Sequence, residues 1–535
     1  MPRPNILLLF TDQQRADTIH AAGNPVVVTP NLDRLAREGV LFRSAYTPSP
    51  VCVPARCSLV YGQYPHRTGC ADNGDPMPDD RPSLMQALSE AGYRTHGIGK
   101  MHFSPDLQAL RGFQTREHQE ELRARVEDDD YLRTLQANGF GHVYDPMGCR
   151  GEMYYIPQPA QVPARLHATQ WVGDRAVEFI REAGREQPFF LFASFIHPHP
   201  PFSPPTPWNK LYRGPLMPLP KRPEQCEALH TFMNRFQNRY KYRDNGLDNN
   251  LLRVMKAYYY ACISFIDLQV GRILATLEET GQLDNTPILF TSDHGEFLGD
   301  YDCFGKRSML DAAARVPLIV RYPQRFTPNQ FCDVPASLVD VMPTLLGAAG
   351  VDASRYALQG LDLAELVAST PMGNERSHRR GAEGIERERA ITAPSLGVLC
   401  ASAVRHPSSN GISSEADRTI YSQFQRGALG VYMALNRRWK YFYSAPDRRE
   451  FLFDRAQDPE ELRSRAGGVF CQDDLGTMRE GLLAYYRSEG YTAPLEGDHW
   501  KLFPQPTLPA DPDALLLIQD AEWARAYQEI PGYTD

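Results

Sequence analysis

Asn5-Ile6-Leu7-Leu8-Leu9-Phe10-Thr11-Asp12-Gln13 is the first readable element of the chain. Its apolar run is too short for the core of a signal peptide, and no small-residue cleavage site follows it. It reads as a strand covered on both faces that delivers Asp12 at its carboxyl end. The same pattern recurs at Phe189 to Phe195, Pro287 to Thr291 and Pro317 to Arg321. Helical patterns lie between these runs. One opens at Pro30-Asn31-Leu32, others cover Ser83 to Ala91 and Trp171 to Ala183, and the longest covers Val254 to Leu277 and ends near Gly281. Strands alternating with helices predict an α/β fold, with a large, mostly parallel sheet sandwiched by helices. Tyr421, Val431 to Leu435 and Lys440 to Tyr443 are shorter alternating runs suited to a small antiparallel sheet. The stretch from Gly373 to Ala390, rich in Arg and Glu, reads as a solvated connection. The expected division is a large domain over 1–375 and a smaller C-terminal α+β domain over 376–535.

Composition narrows the function classes. The 535 residues are 42% hydrophobic and 23% charged, too apolar for general disorder and too many for one ordinary core. A formal charge of −8 offers no electrostatic footprint for duplex nucleic acid or an anionic membrane, so neither is expected as a partner. An anionic substrate would have to be held by positive charge built at the site. The 10 cysteines are scattered, without a Cys-x-x-Cys pair, and read as reduced thiols. No stretch reads as a bilayer span, and the chain is expected to be cytoplasmic.

In open parallel sheets, function gathers beyond the carboxyl ends of the strands. That singles out Asp12, the segment from His197 to Pro201, and Asp293-His294. The sharpest local pattern is Cys52-Val53-Pro54-Ala55-Arg56. Pro54 suits the first turn of a helix, and Arg56, four residues after Cys52, shares its face. A nucleophile at that helix start would meet free backbone N–H groups, the positive end of the dipole and a guanidinium, all favourable to a tetrahedral anion. As a bare pattern it is also compatible with small buried thiols, Cys52 and Cys57, beside a structural Arg. Asp12-Gln13 and Asp293-His294 bring carboxylates, an amide oxygen and an imidazole to strand ends, a donor set for a divalent metal; a helix cap or a turn is the other role for each Asp. Asn73, in Asp72-Asn73-Gly74, is either a turn residue or a substrate contact. Gly97-Ile98-Gly99-Lys100 lacks the spacing of a phosphate-binding loop.

Cys52, Pro54 and Arg56, followed by Leu59 and Gly62, resemble the signature of the formylglycine-dependent sulfatase family of the alkaline phosphatase superfamily. The resemblance covers most of the chain, from Pro4-Asn5-Ile6 through Thr29-Pro30-Asn31-Leu32-Asp33 to Trp439-Lys440-Tyr441, Phe453-Asp454 and Asp458-Pro459. Ala55 stands where the family commonly has Ser. The resemblance implies an alkaline phosphatase-like fold with 1–375 as the catalytic domain. It also implies that Cys52 is converted to formylglycine by a formylglycine-generating maturation enzyme. Asp12, Gln13, Cys52, Asp293 and His294 would hold one divalent metal, Ca2+ or, given the nitrogen ligand, Mn2+. The Gln and His point to the branch with choline sulfatases and phosphonate monoester hydrolases. Gly99-Lys100-Met101-His102 matches the family's Gly-Lys-x-His. Lys306 stands in the place of its second sulfate-binding lysine, and His199 in that of its leaving-group histidine. His197 has no such counterpart and is expected to be structural.

The implied activity is hydrolysis of a sulfate monoester, from a small molecule or a saccharide, to an alcohol and inorganic sulfate. One hydroxyl of the formylglycine hydrate, held by the metal and Arg56, would attack sulfur while Lys100, Lys306 and the metal hold the sulfate oxygens. His199, with Lys306 near it, would protonate the departing oxygen. His102 would take the proton of the second hydroxyl and so expel sulfate from a sulfo-enzyme intermediate. The alternatives are a phosphonate monoester hydrolase or phosphodiesterase on the same scaffold, and a binding protein in which Cys52 is never matured. Specificity is expected in the loops from Glu117 to Tyr155 and Arg213 to Asn250. Tyr154, Tyr155 and Trp171 are candidates for a pocket wall or for core packing.

Overall fold

The computed structural model describes residues 3–121, 125–150, 154–184, 186–242, 248–368 and 418–508. Eight strands form the main sheet: β1 (Ile6–Asp12), β2 (Val40–Phe42), β3 (Arg94–Gly99), β4 (Thr115–His118), β5 (Phe189–Pro198), β6 (Ile288–Ser292), β7 (Leu318–Arg321) and β8 (Gln330–Cys332). Their spatial order is β4-β3-β5-β1-β6-β7-β2-β8. Only β7 runs against the others, antiparallel to both β6 and β2. The sheet is therefore mostly parallel, as the alternation of strands and helices predicts.

The central strand shows why its sequence is apolar throughout. Ile6, Leu8 and Phe10 enter one core, with Val53 and Leu59 of α2 (Cys52–Tyr61; α1 is Pro30–Glu38) and Leu84 and Leu88 of the helix Leu84–Glu90. Leu7 and Leu9 enter the opposite core, with Val172 and Ala176 of the helix Ala168–Glu182 and Ile266, Val270 and Ile273 of the helix Asn249–Glu279. Alternate side chains face opposite sides of a sheet, so a strand covered twice has no polar face. The long helix Asn249–Glu279 has the length and apolar composition of a membrane span, contrary to the expectation that no stretch would. Most of its apolar stretch is buried against the sheet and its neighbours, the position of a core helix. Trp171 also proves to be a core residue, packed against Tyr131 with its indole N–H donated to Thr134.

The C-terminal runs form the expected antiparallel sheet, with strands Ile420–Phe424, Val431–Leu435, Trp439–Ser444 and Arg449–Asp454 in chain order. The helix Gln472–Ser488 packs on it through Leu475, Leu482 and Tyr486. The division at 375/376 and the stretch from Gly373 to Ala390 lie outside the described residues. The fully buried Lys440 ties the C-terminal sheet to the main body. Its ammonium donates to Asp311 at 2.7 Å and to Glu461 at 2.5 Å, while Tyr46 donates to the same Asp311 oxygen at 2.8 Å. The described cysteines are free thiols.

Gly99, at the end of β3, is a position where the site depends on the absence of a side chain. Its φ is +85°, and an added Cβ would lie 2.1 Å from the carbonyl oxygen of Ser194 in β5. That close approach lets the Lys100 N–H reach the same oxygen at 3.2 Å. Gly99→Ala is expected to destabilise the fold by about 1–3 kcal/mol and to displace Lys100. A melting curve that matches the parent protein would contradict this account.

Candidate active site

Three chain segments place Asp12, Cys52 and Asp293 within reach of one another. Asp12 ends β1, and Asp293 directly follows the adjacent strand β6. Cys52 is the first residue of α2, whose end is marked by Gly62 in the left-handed conformation. Asn73 proves to serve the helix: its side-chain oxygen accepts the backbone N–H of Val53 at 3.0 Å, closing an otherwise free donor of the first turn.

Arg56 is the clamp of the site. From α2 its Nε donates to Asp293 at 3.1 Å and one terminal nitrogen to Asp12 at 3.0 Å. The other terminal nitrogen donates to the Lys100 carbonyl at 2.5 Å and to Ser194 at 3.2 Å, and the guanidinium lies over the ring of Phe10. It therefore holds the carboxylates and the Lys100 backbone, and makes no hydrogen bond to Cys52. Lys100, fully buried, forms an ion pair with Asp12 at 2.6 Å and donates to Glu121 at 2.7 Å.

Lys306 donates to Cys52 Sγ at 2.9 Å and to the side-chain oxygen of Gln13 at 2.9 Å. The Nε2 of His294 lies 3.3 Å from the same sulfur. Gln13, with φ +66°, is held from several sides. Its side-chain amide donates to Glu296, its N–H to Asp293 at 2.9 Å, and its carbonyl accepts from Tyr259 at 2.7 Å. Glu296 is itself fixed by Tyr155 at 2.9 Å and by the N–H groups of Leu298 and Gly305. His199 keeps its Nδ1 against the Pro200 carbonyl at 2.7 Å, which turns Nε2 toward Glu121 at 3.3 Å and Tyr154 at 3.5 Å. His102 also has a left-handed φ, +53°. Its N–H is held by Glu120 at 3.1 Å, and its Nδ1 is buried without a hydrogen bond among the described residues. Left-handed non-glycine residues gathered at one place are typical of functional sites. His197 lies between Thr169 and Ser203, its ring tilted against that of His167, with burial holding it neutral.

Charge dominates the site. Burial opposes ionisation of Asp12, but Lys100, His199, Arg56 and Lys306 outweigh it and hold its carboxyl well below the usual range. Asp293 goes the other way: burial and the neighbouring Asp12 charge raise it in spite of His294 and Arg56. Burial and Asp12 also oppose the Cys52 thiolate, yet Lys306, Lys100 and His294 bring its pKa well below that of a free thiol. For His199 burial is the largest influence and keeps the imidazole neutral, while the facing Glu121 pulls toward protonation. Oxygen atoms of Asp12 and Asp293, a ring nitrogen of His294 and Cys52 Sγ all lie within 4.8 Å of one another, and all four residues are buried. Two carboxylates and an imidazole at that spacing suit one divalent cation, whose charge would relieve the repulsion that raises Asp293.

Glu120, Glu121, Arg150 and Glu296 were not singled out from the sequence. Each lies in a loop, and only the folded chain shows that it faces the site. The Glu in Asp293-His294-Gly295-Glu296 offered the one local signal, a further carboxylate three residues after a strand-end Asp.

A mostly parallel sheet, with a helix-start cysteine between two strand-end carboxylates, has the layout of the alkaline phosphatase-like fold. The chain belongs to the sulfatase family, whose model matches residues 4–351. As a member of it, the protein is a sulfuric ester hydrolase, and the family generally uses a metal and formylglycine. It is 32% identical to an arylsulfatase of Clostridium perfringens over 394 residues, 68% of this chain and 78% of that one. A choline-sulfatase of Rhizobium meliloti is 28% identical over 520 residues, 92% of this chain and 88% of that one. The phosphonate monoester hydrolase of Agrobacterium radiobacter shares the fold, with a TM-score of 0.73 at 24% identity, covering 91% of this chain and 96% of that one.

Removal of bound metal should be readable without turnover. An ion present at about 100 times its Kd stabilises the folded state by about 2.7 kcal/mol, and a chelator should remove that increment. The melting temperature should fall with chelator and recover with added divalent ion. Identical melting with and without chelator would count against a metal at Asp12, Asp293 and His294.

Proposed function

We propose that the protein hydrolyses a sulfate monoester of a small molecule or a saccharide at Cys52, after a maturation enzyme has converted Cys52 to formylglycine. One divalent ion, Ca2+ with Mn2+ as the alternative, would be held by Asp12, Gln13, Asp293 and His294 together with residue 52. The observation that carries this reading is the environment of Cys52 Sγ, buried at a helix N-terminus with Lys306 at 2.9 Å and His294 at 3.3 Å. Formylglycine would supply a hydrated aldehyde as nucleophile and the ion would ease its deprotonation.

The remaining roles fall to the chain's own side chains. Lys100 and Lys306 neutralise the sulfate oxygens and orient the ester for in-line attack. Arg56 keeps Asp12 and Asp293 in place. His199, its Nδ1–H donated to the Pro200 carbonyl, presents Nε2 to the leaving alcohol oxygen; Nε2 must first take up a proton, which the facing Glu121 favours, and then gives it to that oxygen. His102 takes the proton whose removal expels sulfate from residue 52. The phosphonate monoester hydrolase reading shares this scaffold, and rates on an aryl sulfate and an aryl phosphonate measured side by side separate the two.

Cys52→Ser should keep the fold, because it exchanges one small buried side chain for another. It should lose multiple turnover, since serine has no second hydroxyl with which to expel sulfate, and at most one sulfo group per chain should transfer. Wild-type turnover from Cys52→Ser would overturn the formylglycine mechanism. His199→Ala should lose roughly 10²–10⁴-fold on esters with poor leaving groups and little on activated aryl esters. Equal losses on both would remove His199 as the acid.

A further inference from the structure

Glu121 is a carboxylate in a place where an anion-binding site should have none. Its side chain is buried, with 4% exposure. One oxygen accepts from Lys100 at 2.7 Å. The other accepts from Arg150 at 2.8 Å and faces Nε2 of His199 at 3.3 Å. A carboxylate oxygen of Glu121, a ring nitrogen of His199 and Cys52 Sγ all lie within 4.8 Å of one another. Lys100 is assigned above to the sulfate oxygens, His199 to the leaving oxygen and residue 52 to the attack on sulfur, so the seat for the substrate anion already carries one fixed negative charge. Burial opposes that charge, but the ion pairs with Lys100 and Arg150 hold the carboxyl well below its usual range.

We propose that Glu121 is a specificity-determining residue that selects substrates by charge, admitting monoanionic esters and penalising dianionic ones. The inference rests on the reading of Lys100, His199 and Cys52 as the anion seat. Coulomb repulsion scales with the product of the charges, so at equal distance a dianion pays twice what a monoanion pays. Sulfate monoesters and phosphonate monoesters carry one charge. A phosphate monoester carries nearly two above its second pKa of about 6. Tetrahedral shape and oxygen placement are nearly the same in all three, which leaves charge as the property such a site can read. Arg150 is part of the device: it holds the carboxylate from the side away from Lys100, so the charge stays in the seat.

The test uses the matured, metal-loaded enzyme and three esters of one aryl alcohol: sulfate, phosphonate and phosphate. In Glu121→Gln, kcat/KM for the phosphate relative to the sulfate should rise by about tenfold or more at pH 8, chiefly through KM. The phosphonate-to-sulfate ratio should not change, and Glu121→Asp, which keeps the charge, should keep the parent ratios. In the wild-type enzyme the phosphate-to-sulfate ratio should rise as the pH falls through about 6 and the phosphate becomes a monoanion. This last measurement decides the matter if Glu121→Gln does not fold. Calorimetric binding of inorganic sulfate and of perchlorate, a dianion and a monoanion of similar shape, gives an arm independent of turnover. Glu121→Gln should tighten sulfate about tenfold relative to perchlorate. Unchanged ratios in the esters and in the binding pair would overturn the proposal. If the wild-type enzyme turns over none of the esters, the hydrolytic assignment fails, and the binding pair still decides whether Glu121 selects by charge.

Discussion

Two carboxylates buried side by side repel each other, and the site is organised around managing that repulsion. Asp12 and Asp293 are fully buried at the ends of adjacent strands, and one guanidinium, that of Arg56, spans them. Removing one partner from such an arrangement leaves an uncompensated charge in the interior, which costs several kcal/mol. Arg56 can reach both because α2 begins at Cys52 and runs past the strand ends, so Cys52 and the clamp are placed by one helix. The compensation is asymmetric: Asp12 also has Lys100, whereas Asp293 does not, and Asp293 is the one whose carboxyl is raised. A site left in this state favours a cation close to Asp293.

Much of the fold was legible because burial on both faces makes a strand apolar throughout. Ile6 to Phe10 and Phe189 to Phe195 announce themselves for that reason. The reversed direction of β7 was not legible, since Leu318–Arg321 has the same apolar character whichever way it runs. The three-residue strands β2 and β8 are too short to show any period, and they add to the sheet only because neighbouring backbone needs partners. The length and apolar composition of Asn249–Glu279 likewise say nothing of whether lipid or protein covers it. Packing against the sheet is what distinguishes the two.

The site divides in a similar way. Cys52, Arg56, Asp12 and Asp293 stand in recognisable local contexts, at strand ends or at a helix start, where backbone geometry concentrates chemistry. Glu121 and Arg150 have no local context. Their mutual contact and their contacts with Lys100 and His199 join residues from separate loops. Asn73 illustrates the opposite difficulty. A turn-forming Asn beside a nucleophile suggests a substrate contact, but its oxygen is used by the Val53 N–H. A side chain that closes a helix donor cannot be told by sequence from one that faces a ligand.

The buried ammonium of Lys440 imposes an order on the making of this protein. Asp311 leaves the ribosome 129 residues before Lys440 does. At 5–20 residues per second that is an interval on the order of ten seconds. During it, Asp311 has Tyr46 and Arg315 as partners but not yet the ammonium that comes closest to it. Glu461, which holds the Asp311 backbone N–H at 2.6 Å, comes later still. The sheet strands that carry the site can pair early, but the anchorage of Asp311 is completed last, from the far end of the chain.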